Sequence, residues 1–389
     1  MTTIALPTAD RQLETYRVKN PPLKLPAAGS APAFDRIAYA AAHVVVDPWA
    51  EQDPWLDVRF DWERTLAFRH HLWDLGLGVA EAMDTAQRGM GLDWAGAQEL
   101  IARALADART RPGAMIACGV GTEHLNPAEA VTVDDVIRAY EEQAAFVEKH
   151  GGRIILMASR ALVRAAKGPG DYARVYGRIL QGVKEPVILH WLGEMFDPAL
   201  AGYWGAADHM EAMETALMVI RDNAAKVDGI KISLLSKEKE ILMRRRLPAG
   251  VKMYTGDDFD YAELIAGDDQ GYSHALLGIF DAIAPAASVA LGRLAAGDRA
   301  EYDRILAPTV PLSRHIFKAP TRFYKTGVVF LAWLNGLQDH FTMLGGQQSA
   351  RSMLHFAELF RLADSAQVLL DPDLAAERMA KLLAVHGIG

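Results

Sequence analysis

The segment Val227-Asp228-Gly229-Ile230-Lys231-Ile232-Ser233 decides how this chain is read. Two β-branched residues, Ile230 and Ile232, flank a lysine inside a short apolar run, and Leu234 to Ser236 opens a loop or a helix start. A run of this kind bounded by turn residues predicts a buried strand. Lys231 then projects into an apolar interior where its ammonium is poorly solvated. Desolvation disfavours the charged form, so part of it becomes the neutral amine that attacks carbonyls. The competing reading is a lysine that buries its stem and carries its head to water at the strand end.

Outward from that strand, short apolar runs alternate with segments of helical period. Candidate strands lie at 37–46, 78–83, 114–120, 153–158, 186–191, 229–233, 251–255 and 272–278. Helix-like segments follow at 62–75, 94–108, 133–150, 171–183, 208–226, 237–247, 259–266 and 282–295. Thr132 with Asp135 forms a capping-box pattern, and Gly151-Gly152 closes that helix. Asp258 is placed to cap the helix from Phe259, which Gly267 ends. Eight strand–helix units in series predict an α/β fold, a (β/α)8 TIM barrel over 35–297. An open doubly wound sheet is the alternative, but no glycine-rich phosphate loop follows the first strand.

Residues 1–34, with prolines at 7, 21, 22, 26 and 32, show no sustained period. They read as an extended N-terminal arm on the domain surface or on a neighbouring subunit. Beyond Gly297 the pattern is helical without strands, at 299–307, 312–317, 323–337, 350–363 and 373–385. This predicts a C-terminal helical region over 298–389, layered on one side of the barrel.

The 389 residues are 51% hydrophobic and 23% charged, with net charge −8. That balance argues against nucleic-acid partners and against an anionic membrane surface. A single cysteine, Cys118, leaves no disulfide framework and no thiolate metal cluster. No basic segment followed by an apolar core opens the chain, and no apolar run approaches the roughly 18 residues a spanning helix requires. A soluble cytoplasmic protein is expected.

In a barrel, chemistry sits where the strands run out. The strand ends supply His43 and Asp47, Glu81 with Asp84-Thr85, Glu123-His124, Ser159-Arg160, His190 with Glu194, Lys231 with Ser233, Asp257-Asp258, and Ser273-His274. Singly each has a structural reading: Asp257-Asp258 as a helix cap, His124 as a loop residue, His43 and His274 as core histidines. Together they predict a rim dense in titratable groups. Trp49, Trp55 and Trp62 flank the long first connection, where they either lid the site or pack the arm down. Met353, Leu354, Phe356 and Leu359 lie at helical spacing, suited to burial against a partner subunit.

The lysine segment resembles the lysine strand of the dihydrodipicolinate synthase / N-acetylneuraminate lyase superfamily, an apolar pair followed by Gly-Ile-Lys and a small loop. Pro186-Val187-Ile188-Leu189-His190-Trp191 is similar to that family's fifth strand, and Tyr254-Thr255-Gly256-Asp257-Asp258 to its seventh. Ala266 to Gly271 resembles its glycine turn before the eighth. The resemblance covers roughly 34–337, and the long arm and loops point to a divergent branch of the domain-of-unknown-function kind. It implies a TIM barrel with a helical C-terminal layer, a homo-oligomer, no cofactor, and an imine formed by Lys231. His190 stands where the family has a proton-relaying tyrosine, and histidine relays protons with a different pH dependence. Glu81-Ala82-Met83-Asp84-Thr85-Ala86-Gln87 replaces the family's Gly-Thr-Thr-Gly-Glu turn, whose hydroxyls and amides hold the carboxylate of a 2-oxo acid. An aspartate there repels a carboxylate. Met195 stands near an arginine that the synthase branch uses for its dicarboxylate.

The expected activity is therefore a class I lyase, aldolase or dehydratase acting on a small hydroxylated or sugar-derived carbonyl compound, within carbohydrate metabolism. Lys231 and His190 are its catalytic residues. His43, Glu81, Asp84, Thr85, Asp257, Asp258, Ser273 and His274 are its substrate-binding candidates. One alternative is a divalent-metal sugar isomerase or eliminase using His43, Glu81, Asp84, His124, His190 and Asp257 as ligands. The other is a barrel that binds without catalysing.

Overall fold

The computed structural model describes residues 2–25, 32–51, 53, 55–126 and 131–389. Two strands near the N-terminus, β1 (Thr3–Pro7) and β2 (Leu13–Arg17), are followed by eight more. These are β3 (Ala38–Ala41), β4 (Gly78–Glu81), β5 (Ile116–Val120), β6 (Arg153–Leu156), β7 (Val187–Leu192), β8 (Val227–Ser233), β9 (Lys252–Thr255) and β10 (His274–Leu277). β3 to β10 pair in parallel and close on themselves, with β10 returning to β3. This is a (β/α)8 TIM barrel, as the alternation of apolar runs and helical segments predicts. The strands are short and buried on both faces; all six residues of β7 are buried, as parallel strands under a helical layer require.

The chain divides into two compact units, Arg36–Ala42 with Gly78–Leu277, and Met1–Asp35 with His43–Leu77 and Gly278–Gly389. The first holds the whole barrel. Its interior is filled by large side chains set against small ones: Tyr39, Met157, Ile188 and Tyr254 against Ala41, Ala80 and Ala117. The rings of Tyr39 and Tyr254 lie 6.4 Å apart. Gly229 has to be glycine, because a Cβ there would stand 2.7 Å from the Tyr254 ring. At the barrel's amino end Asp228 accepts hydrogen bonds from the Tyr254 hydroxyl (2.7 Å) and Lys252 Nζ (2.8 Å). Two of the helix caps stand as expected. The Thr132–Asp135 capping box is formed on both sides, and Gly151 follows that helix with φ +72°.

The third cap differs. Asp257, not Asp258, accepts the amides of Phe259 (2.8 Å) and Asp260 (3.0 Å). The resulting turn delays the helix to Tyr261–Ala266, which Gly267 ends. An aspartate bonding the amide two residues on favours this turn over immediate helix.

The second unit is described by itself. In place of an extended arm it begins with an antiparallel hairpin, β1 on β2, in register from Thr3↔Arg17 to Pro7↔Leu13. Ile4 and Leu6 are buried and Thr3 and Ala5 exposed, a period-two pattern too short to stand out beside Pro7. Asp364 fixes the chain beyond the hairpin, accepting from the Tyr16 hydroxyl (2.7 Å) and the amides of Lys19 (3.0 Å) and Asn20 (3.1 Å). Of the arm's prolines, Pro26 lies outside the described residues, as do Gln52 and Pro54 of the first long connection. The helix Tyr324–Leu334 is buried at every residue. Phe356 and Leu359 are fully buried within the chain itself, whereas Leu354, Trp49 and Trp55 are exposed. Among the described residues no helix is long and apolar enough to cross a membrane.

Candidate active site

The site begins with the pairing of β7 and β8, whose register sets His190 beside Lys231 and Leu192 beside Ser233. Ile188 faces the barrel interior, so His190, two residues on, lies on the same face nearer the carboxyl rim. Lys231 is 7% exposed. Burial pulls its pKa below the ordinary 10.5, opposed by the carboxylates of Asp258 and Asp84. His190 is buried too, and that burial, with the charge of Lys231 added, holds its pKa well below the usual 6.5. The imidazole is therefore neutral. Its Nε2 lies 3.3 Å from Ser233 Oγ, and its Nδ1 has no hydrogen-bond partner among the described residues.

The end of β9 presses against this pair. A Cβ on Gly256 would stand 2.3 Å from Ser233 Oγ, 2.6 Å from the Ile232 carbonyl and 2.6 Å from Lys231 Cε. One residue earlier, the Thr255 hydroxyl donates to Glu240 (2.9 Å) and accepts the Asp257 amide (3.2 Å). Ser273 Oγ donates to the other Glu240 oxygen at 2.7 Å. Glu240 is fully buried, and burial pushes its pKa up to about 8 despite these two hydrogen bonds. A neutral carboxylic acid thus anchors the turn that carries Asp257 and Asp258.

Across the rim, the turn after β4 carries Asp84 and Thr85. Its backbone enters the left-handed region at Ala82 (φ +53°) and Gln87 (φ +67°), which costs a non-glycine residue on the order of 1 kcal/mol. Arg88 holds the turn in place. It donates to the carbonyls of Ala82 (3.2 Å) and Gly119 (2.8 Å) and to Gln143 Oε1 (2.8 Å), and it pairs with Glu123. A cavity of about 550 Å³ opens here, lined by Asp84, Arg88, Trp94, Glu123, Arg160 and His190 among others. That is the size of a typical small-molecule site, roughly 300–1,000 Å³.

Of the predicted residues, the barrel brings together Lys231, His190, Asp84 and Asp258. Thr85 is buried in the same turn as Asp84. Asp257 is turned to the backbone amides of Phe259 and Asp260. Glu81 follows the interior-facing Ala80, so strand alternation directs it toward the helices. Ser273 and His274 stand at the start of β10 rather than its end, and His274 Nδ1 accepts the Ile37 amide at 3.0 Å. His43 belongs to the other unit, its ring nitrogens on Asp281 (2.8 Å) and Gln338 (3.0 Å).

Sequence reasoning named Ser233, Arg160 and Gly256 without giving them a role, and left out Arg88, Glu240 and Asp197, the partner of Arg160. Ser233 was legible as the same-face neighbour of Lys231. Glu240, an acid in the first turn of an ordinary surface-patterned helix, carried no signal. Among the described residues no group of three or more His, Cys, Asp or Glu side chains is placed to hold a metal ion.

A family profile described as "Protein of unknown function (DUF993)" matches residues 4–388. The chain belongs to that family. Comparison with curated proteins found no match. Among solved structures, the 4-hydroxy-tetrahydrodipicolinate synthase of Methylacidiphilum fumariolicum SolV superposes with a TM-score of 0.64 at 14% identity, covering 88% of this chain and 99% of that one. YagE of E. coli K12, a prophage protein of the dihydrodipicolinic acid synthase family solved in complex with pyruvate, gives 0.63 at 14%, covering 92% and 100%. The dihydrodipicolinate synthase of Oceanobacillus iheyensis gives 0.61 at 14%, covering 85% and 96%. At these identities the likeness establishes the fold alone: this DUF993 chain has the same (β/α)8 barrel as these synthase structures.

Proposed function

We propose that the protein is a class I lyase, aldolase or dehydratase in which Lys231 forms an imine with a hydroxylated carbonyl substrate, rather than carrying out simple pyruvate chemistry. The observation that carries this reading is the buried Lys231, its pKa lowered by burial, beside the neutral imidazole of His190. The imine withdraws electrons from the adjacent carbon, which lowers the barrier to breaking a C–C bond or expelling a hydroxyl. His190 takes the proton from the substrate and returns it, and a ring that stays neutral around pH 7 is ready to act as the base. Ser233 Oγ orients that ring. Asp84, Thr85 and Asp258 hold substrate hydroxyls; Asp257, Ser273 and Glu240 hold the turn beneath them. The fold of the superposed synthases, one of them solved with pyruvate, supports the reading.

The test is reductive trapping. Borohydride added with a panel of aldehydes and ketones is expected to leave a mass increment on the peptide containing Lys231. A substrate that turns over while Lys231 stays unmodified under borohydride sinks the proposal. Assembly as a homo-oligomer, part of the same reading, is checked by light scattering in solution.

A further inference from the structure

Four acids line the cavity beside His190: Asp84, Asp93, Glu123 and Asp197. Three of them already have partners. Glu123 sits on Arg88, Asp197 on Arg160, and Asp93 caps its helix by accepting the Gly96 amide at 2.8 Å. Both cavity arginines are thereby matched, so neither offers a free cation to a substrate acid. The Asp84 carboxylate has no hydrogen-bond partner among the described residues, and its turn is held in a costly left-handed shape by Arg88. Lys231 has the carboxylates of both Asp258 and Asp84 near it, and of these two only Asp84 stands on the wall of this cavity.

We propose that Asp84 is the specificity-determining residue: it shares with Asp258 the balancing of the Lys231 iminium and, from the cavity wall, selects an uncharged hydroxy-aldehyde or hydroxy-ketone over a 2-oxo acid. The proposal rests on the imine reading above. Taken from the ammonium form, two of the three nitrogen protons leave with the carbonyl oxygen as water. The third stays on nitrogen, and the new C=N bond replaces the C=O bond. The single positive charge passes unchanged from ammonium to iminium, so a carboxylate facing it is as well matched after the step as before. A 2-oxo acid brings its own carboxylate to the carbon next to the iminium and sets it against the carboxylate of Asp84, a like-charge contact that costs free energy. A hydroxymethyl group in the same place donates a hydrogen bond to Asp84 instead.

The experiment compares hydroxyacetone with pyruvate, which differ in having a hydroxymethyl group or a carboxylate on the same keto carbon. Cyanoborohydride trapping on Lys231 is followed by mass spectrometry for the wild-type protein, Asp84→Asn and Asp84→Ser. Wild type is expected to favour hydroxyacetone, and the ratio of the two trapping rates is expected to fall at least ten-fold in both variants. Taking a ratio cancels any general change in amine reactivity, and the second variant guards against one that fails to fold. Trapping that occurs with a ratio unmoved by either substitution, or with wild type favouring pyruvate, overturns the role of Asp84 and leaves the imine intact. No trapping of either carbonyl on wild-type Lys231 overturns the imine reading and this proposal with it.

Discussion

Glu240→Gln tests the buried anchor beneath the site. The folded-state pKa of Glu240, about 8 against an ordinary 4.5, means that the folded protein holds a proton the unfolded chain gives up. The resulting stability is fully present below pH 4.5 and is lost as pH rises through about 8. Integrated between about pH 5.5 and 8.5, the loss is roughly 3 kcal/mol. Glutamine keeps the shape of the protonated acid and both hydroxyl partners, Ser273 and Thr255, with no proton to lose. Urea unfolding at the two pH values is expected to show a strong alkaline loss in wild type and a flatter dependence in E240Q. The wild-type excess is about 1 M in midpoint for an m-value on the order of 3 kcal/mol/M. Parallel pH profiles for the two proteins would refute the argument, since a Glu240 ionised in the fold contributes no such slope. The Asp257 amide bonds the same threonine hydroxyl, so trapping at Lys231 should also be steadier toward alkaline pH in the variant.

Gly256→Ala forces a Cβ against the immobile Ile232 carbonyl and Lys231 Cε. It is expected to cost about 1–3 kcal/mol in thermal or urea unfolding and to slow trapping; wild-type values for both would refute the packing account. Trapping by the native protein should rise with pH to a midpoint below 10.5, the direction in which burial moves Lys231. A midpoint at or above that value contradicts it. The same profile should show no inflection near 6.5, because His190 is already neutral there. Lys231→Met removes a buried amine whose lowered pKa penalises folding fully below its folded value and less as pH approaches 10.5. The variant should therefore be more stable than wild type at neutral pH, by a margin that shrinks on alkalinisation. In the other unit, Asp281→Ala strands a buried imidazole and the His43 amide, and an unfolding cost of about 3–5 kcal/mol is expected.

The barrel was legible because a strand buried on both faces needs a continuous apolar run, and eight such runs separated by amphipathic helices leave little choice of architecture. The helix Trp94–Ala108 falls where its period puts it, and β8 begins two residues before the predicted start, at Val227. Lys231 and His190 were legible for the same reason, as the polar interruptions in two such runs. The orientation of a polar residue within a strand was harder to read. Ser273 and His274 lie in the predicted eighth strand but at its head, and a run of letters does not distinguish the head of a parallel strand from its rim. Glu240 was invisible because its burial comes from Thr255 and Ser273, which lie outside its own helix and reach it only through the closed fold. The hairpin β1–β2 was missed because five residues to a strand, with a proline at the end of one, give too few alternations to register.

The two arginine–carboxylate pairs in the cavity wall have a consequence for how this site can change. Arg88 and Arg160 are cations held in reserve, each silenced by a single acid. Replacing Asp197 by asparagine leaves the shape of the wall nearly intact and exposes a guanidinium fork suited to a carboxylate or a phosphate. On the proposed reading, one substitution thus separates a cavity suited to uncharged chains from one that recruits anions. Arg160 is the better placed of the two for such a switch, because Arg88 is also committed to the carbonyls that shape the Asp84 turn. The barrel, the lysine and its histidine need not alter, so on the proposed function relatives sharing this pair can diverge in substrate charge by changes confined to the lining.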